Sequence, residues 1–155
     1  MKIKHQICLL MLPLFLFSCT LEDDSKLNKD NSDRQEIPAS LKIEWTDSFK
    51  QEEDNYLVFF HSDTCAHCQE IMGDVIAFSL DNVKKLYFAD IESEGIKIPV
   101  DKTKDPLIGV SDISEFYIKG TPTIIEVNLC VVVENIPGKD ACLTFLNNER
   151  LNNKN

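Results

Sequence analysis

The feature that most constrains this chain is a pair of cysteines, two residues apart, that closely follows an apolar run. The run covers residues 56–60, and the cysteines are Cys65 and Cys68. A continuous β-prone run without polar alternation is typical of a central strand that is covered on both faces. Two cysteines at this spacing can close a disulfide ring or bind a soft metal. At a strand-to-helix junction they indicate first a redox pair.

Length and charge restrict the class of protein. The chain has 155 residues, which suits one domain with additional sequence. The net charge of −10 and the isoelectric point of about 4.7 argue against nucleic acid as a partner. The six cysteines are too few and too unevenly spaced for a disulfide-scaffold protein.

The N-terminus has the pattern of an export signal. A short basic head precedes an apolar core at residues 7–17, which is shorter than the roughly 20 residues that a spanning helix needs. The end of this stretch, Leu16-Phe17-Ser18-Cys19, resembles the bacterial lipobox, in which the cysteine is lipidated. We therefore predict a lipoprotein signal peptide at residues 1–18 and lipidation of Cys19. The alternative is an ordinary signal peptide in which Cys19 is incidental.

The remainder divides by composition. Residues 19–40 are mostly polar and charged and are predicted to form a lipid-anchored flexible linker. Residues 41–150 are predicted to be the folded domain, and residues 151–155 a disordered tail. The predicted location is a bacterial cell membrane, with the domain lipid-anchored on the extracytoplasmic side.

Apolar periodicity and turn signals predict the elements of the domain. We expect strands at 41–43 (an edge), 56–60, 85–91, 123–127 and 131–136, with the last two forming a hairpin. We expect helices at 50–53, 66–79, 112–117 and 140–148, a loop-rich insertion at 92–110 and fraying from Asn147. Residues 62–64 are the candidate N-cap of the helix at 66–79. This order predicts an α/β sheet with helices on both faces.

Three landmarks in this order resemble the thioredoxin superfamily. They are the apolar strand that leads into Cys65-Ala66-His67-Cys68, the segment Gly120-Thr121-Pro122-Thr123, and Gly138 before the final helix. The second segment is similar to the cis-proline loop that faces the cysteine pair in that family. The resemblance covers roughly residues 41–150. It implies a thioredoxin fold, with a central mixed β-sheet flanked by helices on both faces.

The resemblance also implies roles for individual residues. Cys65 would be the nucleophile and Cys68 the resolving cysteine of a redox-active disulfide, while Thr121 and Pro122 would line a substrate groove. A helix N-terminus favours the Cys65 thiolate, and protonated His67 would add a cation. No cofactor and no metal are expected.

Two positions depart from the general thioredoxins. Phe59 stands where many members carry a buried aspartate, and Phe88 stands in place of a lysine on the neighbouring strand. Those charged groups help to move protons in the general thioredoxins. Their replacement argues against a cytosolic type of reductase.

The function predicted from these residues is an extracytoplasmic thiol–disulfide oxidoreductase, with its direction undecided between oxidant and reductase. Its partners would be protein thiol or disulfide clients, a membrane redox partner and the membrane itself through the lipid anchor, with no nucleic acid. A monomer is expected, because no dimerisation segment is visible. Alternatives are a non-catalytic accessory or binding lipoprotein and a Cu(I) metallochaperone, since Cu(I) prefers soft thiolates.

Four further interpretations of the cysteines and histidines can be weighed from the sequence. A zinc site lacks a second CxxC, and a c-type haem site would need histidine where Gln69 stands. His61 is either a ligand or, preferably, a surface or groove residue. Cys130 and Cys142 are predicted to be unpaired, because in the family topology a strand of about 23 Å separates them and disulfide Cα atoms lie within about 7 Å.

Overall fold

The computed structural model describes residues 36–93, 97–104 and 107–154. The predicted signal peptide, Cys19 and the linker up to residue 35 lie outside the described residues. Within the described ranges, no helix has the length and apolar character that crossing a membrane requires.

The centre of the domain is a five-stranded mixed sheet in the order β1-β3-β2-β4-β5. The strands are β1 (Lys42–Ile43), β2 (Asn55–His61), β3 (Leu86–Asp90), β4 (Thr123–Asn128) and β5 (Val131–Pro137). Strands β1, β3 and β2 run parallel, whereas β4 is antiparallel to both β2 and β5. The apolar run therefore forms the central strand, as predicted, with β1 at an edge.

Two α-helices, α1 (Ala66–Leu80) and α2 (Lys139–Asn152), pack on the same face of this sheet. Leu57 and Phe59 of β2 share one buried cluster with Val75 of α1 and Leu146 of α2. The mixed sheet of an α/β fold is confirmed. Our expectation of α-helices on both faces is wrong, because no second helical layer forms opposite α1 and α2 in the described part of the chain.

The second face is covered by irregular segments. Two single 3-10 turns, Trp45–Asp47 and Ile113–Glu115, replace the short helices predicted at 50–53 and 112–117. The predicted loop-rich insertion contributes buried Ile98 and Leu107 to this face. No helix forms in the described residues of this insertion, which include Pro99 and Gly109, yet Ile98 and Leu107 reach the core.

Aromatic rings hold this second layer to the sheet. Phe60 of β2 lies with its ring centroid 5.3 Å from that of Phe116, and Phe49 contacts the same ring edge-on at 5.7 Å. The Tyr56 hydroxyl donates to the Ser48 carbonyl at 2.7 Å, and the Ser48 hydroxyl donates to the Trp45 carbonyl at 2.6 Å. These two hydrogen bonds close a single turn and direct the chain toward β2. A helix longer than one turn therefore does not form at this position.

The hairpin strands and the final helix are all longer than predicted. Leu129 and Cys130 connect β4 to β5 with φ values of 48° and 63°, the geometry of a tight two-residue turn. Helix α2 continues to Asn152, and the Arg150 guanidinium lies 2.7 Å from the Asp81 carboxylate at the end of α1. The predicted fraying from Asn147 is therefore wrong up to Asn152, and the first two residues of the predicted tail are helical.

Cys130 and Cys142 are both free, as predicted, but they differ in exposure. Burial raises the pKa of the Cys142 thiol to about 12, and its sulfur lies 3.3 Å from the Ile136 carbonyl. Against an ordinary thiol pKa of about 8.5, this lowers the thiolate fraction roughly 10³-fold. In the oxidised native protein, we expect a thiol reagent to label Cys130 quickly and Cys142 only on unfolding. Labelling rates of Cys130→Ser and Cys142→Ser variants test this, and rapid native loss of the Cys142 thiol would contradict it.

Candidate active site

The two cysteines of the CxxC pair are joined as a disulfide at the start of α1, with their Cα atoms 5.2 Å apart. Cys65 itself is the N-cap residue: its sulfur accepts from the Cys68 backbone N–H at 3.1 Å. The predicted caps at residues 62–64 are therefore wrong. The hydroxyl groups of Ser62 and Thr64 instead form a hydrogen bond with each other at 2.8 Å. This bond closes the turn that precedes Cys65.

The two sulfurs differ in access to solvent. Cys65 is half-buried, whereas Cys68 is 0% exposed. Only the first cysteine can be approached by a large molecule, because the second is enclosed under the first turn of α1. The roles of Cys65 as nucleophile and Cys68 as resolving cysteine stay predictions.

His67 lies inside the CxxC ring and points to solvent, with 65% of its side chain exposed. Its Nδ1 lies 3.7 Å from the Glu70 carboxylate, which also pairs with the ammonium of Lys139 at the start of α2. A side-chain hydrogen bond from Lys139, followed by smaller effects that include His67, lowers the pKa of Glu70. His67, Glu70 and Lys139 thus form a row of polar side chains at the surface beside the disulfide. Its electrostatic role toward Cys65 remains a prediction.

The loop with Thr121 and Pro122 reaches the same edge of the sheet as the disulfide. Its Thr121–Pro122 peptide bond is cis. The antiparallel register pairs Thr123 with Phe60, so that the loop lies beside the end of β2 from which the chain continues to Cys65. Pro122 is buried and Thr121 is half-buried, and the Pro122 carbonyl accepts from the Gly138 N–H at 2.8 Å.

Three observations together identify the fold: the strand order of the sheet, the CxxC pair at a helix N-terminus and the adjacent cis-proline. The fold is thioredoxin-like. With the disulfide of Cys65 and Cys68 in place, this arrangement supports a thiol–disulfide redox function.

Comparisons with known proteins are remote. No family model and no curated protein matches the sequence. Solved structures of similar fold include thioredoxin f2 from Chlamydomonas reinhardtii, with 14% identity, a TM-score of 0.46 and coverage of 71% of this chain and 95% of that one. A mutant thioredoxin from Halobacterium salinarum NRC-1 has 17% identity, a TM-score of 0.48 and coverage of 70% and 88%. The periplasmic thioredoxin SoxS from Paracoccus pantotrophus has 12% identity, a TM-score of 0.37 and coverage of 65% and 99%. Identities and TM-scores this low carry no functional argument.

The positions that depart from the general thioredoxins are filled by two aromatic rings in contact with each other. Phe59 and Phe88 are partners across β2 and β3 and are 0% and 1% exposed. Their ring centroids lie 6.0 Å apart in an edge-to-face contact. The space beneath the helix layer is therefore apolar at the two positions where the family often carries charges.

His61 is a titratable residue whose place the sequence interpretation missed. It is 5% exposed, and its ring stacks on Phe59 at 5.7 Å and meets Phe88 edge-on at 6.3 Å. Its Nδ1 has no hydrogen-bond partner among the described residues. Of the preferred interpretation as a surface or groove residue, the surface part is wrong because the side chain is buried, whereas His61 does line a cavity. The signal was available, because His61 has the same strand parity as Leu57 and Phe59 and so faces the covered side.

Burial of His61 should make stability depend on pH. Burial lowers the pKa of His61, against opposing effects of Asp90 and Asp63 and a smaller lowering effect of Lys42. A histidine with a depressed folded-state pKa contributes stability above its unfolded pKa of about 6.5 and loses it as pH falls, because the unfolded chain binds the proton first. We expect His61→Phe to reduce the loss of unfolding free energy between about pH 7 and 5.5. Urea unfolding at both pH values measures this change.

The matched control is His67→Ala, which leaves His61 in place and should keep the wild-type difference between the two pH values. An unchanged pH dependence in His61→Phe would contradict the buried, neutral state of this imidazole.

Proposed function

We propose that this chain is an extracytoplasmic thiol–disulfide oxidoreductase, anchored to a bacterial cell membrane through Cys19, that acts on secreted or envelope proteins. The observation that carries the redox part is the disulfide between half-buried Cys65 and buried Cys68 at the N-terminus of α1. The extracytoplasmic part is supported by the export-signal pattern of the N-terminal sequence and by the lipobox-like residues before Cys19. Disulfides persist outside the cytoplasm, where such an enzyme has clients.

The exchange chemistry can be written from these two residues. In the reducing direction, the Cys65 thiolate attacks one sulfur of a client disulfide, and the other client sulfur leaves as a thiolate. The Cys68 thiolate then attacks the Cys65 sulfur, which releases the second client sulfur and forms the Cys65–Cys68 disulfide. The client gains two electrons and takes up two protons. In the oxidising direction, the same steps run in reverse.

The local structure favours the thiolate that this chemistry needs. The Cys68 N–H that reaches the Cys65 sulfur at 3.1 Å is a donor to a thiolate at the same place. The positive end of the α1 dipole acts in the same sense. A stabilised thiolate makes the Cys65–Cys68 disulfide easier to reduce, which favours an oxidant, whereas attack by the same thiolate on a client disulfide serves a reductase. The potential relative to a membrane redox partner sets the direction.

The test is to trap the intermediate. Cys68→Ala removes the resolving sulfur, so mixed disulfides on Cys65 should accumulate in whole cells and disappear on reduction. The proteins captured should carry export signals. The control is the double variant Cys65→Ala and Cys68→Ala, which should capture none.

Two outcomes would overturn the proposal. Capture of clients without export signals would contradict the extracytoplasmic location. Absence of any mixed disulfide would contradict turnover, and Cu(I) bound by the wild-type protein at one equivalent would then support the metallochaperone alternative.

A further inference from the structure

The loop that carries the predicted groove residues is held by backbone hydrogen bonds at both of its ends. At the first end, the Ile118 N–H donates to the Pro99 carbonyl at 3.0 Å, and the Asp101 N–H donates to the Ile118 carbonyl at 2.9 Å. These two bonds join the loop to the predicted loop-rich insertion. At the second end, the Gly138 N–H donates to the Pro122 carbonyl at 2.8 Å. The middle of the loop lies between these two anchors.

One side-chain hydrogen bond reaches the middle of this loop. The Thr123 hydroxyl donates to the Gly120 carbonyl at 2.7 Å, and Thr123 is 1% exposed at the first position of β4. Within the described residues, no other hydrogen bond to the backbone of residues 119–121 is found. The Thr123 hydroxyl is therefore the group that restrains this part of the loop.

Gly120 has little else to fix its conformation. Its φ is +150°, which glycine adopts readily and residues with a side chain rarely do. A Cβ at this position would meet no heavy atom within 4 Å, so packing does not hold the residue in place. Without the hydrogen bond from Thr123, the peptide group that follows Gly120 is free to rotate.

The orientation of this peptide group decides where a backbone donor points. The Gly120 carbonyl and the Thr121 N–H belong to one planar trans peptide group, in which they point in opposite directions. Holding the carbonyl on Thr123 therefore also fixes the direction of the Thr121 N–H. Within the described part of the chain, this N–H has no hydrogen-bond partner. Because Pro122 has no N–H, Thr121 supplies the backbone donor of the two predicted groove residues.

We propose that Thr123 is a positioning residue for client binding: its hydroxyl orients the peptide group between Gly120 and Thr121, so that the Thr121 N–H donates to a backbone carbonyl of the client polypeptide. The inference rests on the proposed function and adds the residue that prepares its substrate groove. An extended polypeptide offers unpaired backbone carbonyls for this bond. Thr123 acts through Thr121 and not on the reacting sulfurs.

The test compares two disulfides as substrates of the full chain. One is a fluorogenic peptide disulfide with extended backbone on both sides of each cysteine. The other joins two dye-labelled cysteamines and has no peptide strand. Dithiothreitol is the reductant, and the rate of the reagent alone is subtracted. Thr123→Val replaces the hydroxyl by a methyl group at nearly the same shape, whereas Thr123→Ser keeps the hydroxyl.

We expect Thr123→Val to lower kcat/KM for the peptide disulfide about 3- to 10-fold, mainly through KM, because one backbone hydrogen bond to the client is lost. Its kcat/KM for the cysteamine disulfide should stay within about 2-fold of wild type, since that substrate has no strand to pair with Thr121. Thr123→Ser should restore the wild-type values. Gly120→Ala disturbs the same peptide group through the backbone and should reproduce the Thr123→Val pattern, without depending on how well Thr123→Val folds.

The matched control is Ser48→Ala. Ser48 is 0% exposed, and its hydroxyl donates to the Trp45 carbonyl three residues earlier, as the Thr123 hydroxyl does to Gly120. Ser48 accepts from Tyr56 near the start of β2, whereas the redox pair follows the end of that strand. The variant should lose unfolding free energy in urea, as Thr123→Val does, and keep kcat/KM for both disulfides. The comparison separates positioning from a general loss of stability.

Each contrary result identifies what has failed. If Thr123→Val or Gly120→Ala keeps wild-type kinetics toward the peptide, or lowers both substrates alike, the positioning role is wrong and the redox function stands. If Thr123→Ser or Ser48→Ala behaves like Thr123→Val, the hydroxyl at this position is not the cause, and the role is also wrong. A wild-type chain that reduces neither disulfide above the reagent rate overturns the proposed redox function itself.

Discussion

Replacing Cys65 by serine is expected to lower the rate of disulfide reduction roughly 10³-fold or more, because removing a covalent nucleophile costs orders of magnitude in rate. Cys65 is the accessible sulfur of the pair, and Cys68 is 0% exposed and cannot replace it. The measurement is reduction of a fluorogenic disulfide peptide driven by dithiothreitol, with the rate of the reagent alone subtracted.

The matched control is Cys130→Ser, which removes an exposed free thiol at the hairpin turn, away from the disulfide. This variant should retain wild-type activity. If Cys65→Ser also kept most of the activity, another thiol would be the nucleophile, and the proposed role of the CxxC pair would have to be abandoned.

Truncation of Phe60 is expected to produce the largest loss of stability. Phe60 is 0% exposed on the central strand, and its ring contacts Phe116 at a centroid distance of 5.3 Å. Deleting a buried phenyl ring typically costs about 3–5 kcal/mol, a large part of the roughly 5–15 kcal/mol of a folded domain. We therefore expect Phe60→Ala to lose about this much unfolding free energy in urea titrations. This loss should be large because the irregular second layer depends on few aromatic contacts.

The control for this measurement is Leu80→Ala, whose side chain is 54% exposed at the end of α1. Its effect should stay within about 0.5 kcal/mol, as for other surface substitutions. A loss below about 1 kcal/mol for Phe60→Ala would mean that the loop layer repacks freely over the sheet.

Most of the sheet was predictable from local pattern. The apolar runs at β2 and β3 identify buried strands, because a strand that is covered on both faces is apolar at nearly every position. The tight hairpin and the redox motif at the start of α1 were also predictable, since their residues are close in sequence. The irregular layer on the face opposite α1 and α2 was less predictable from the sequence. Whether residues 45–53 form a helix or one turn depends on the hydrogen bond from Tyr56 to Ser48 and on the ring of Phe116, far along the chain, against which Trp45 and Phe49 pack.

The same distinction applies to the candidate site. Cys65 and Cys68 were identifiable as a redox pair from their spacing together with their place between a strand and a helix, and the cis-proline loop was expected from resemblance. The capping role of the Cys65 sulfur was not predictable from the sequence, because this role depends on the side-chain rotamer that brings the sulfur to the Cys68 N–H. His61 carried a parity signal, but its environment comes from Phe88 on another strand.

The sequence by itself determined the redox motif of this protein. The two cysteines, the strand before them and the helix after them lie within a short stretch, and the two-residue spacing restricts the cysteines to a disulfide or a soft-metal site. The environment of these cysteines was decided only by the tertiary structure. Tertiary packing buries Cys68, sets His61 among aromatic rings, and brings Glu44, Asp47, Asp63 and Asp90 around one cavity. Burial and the convergence of strand ends depend on contacts between residues far apart in the chain, and no pattern within a single segment contains them.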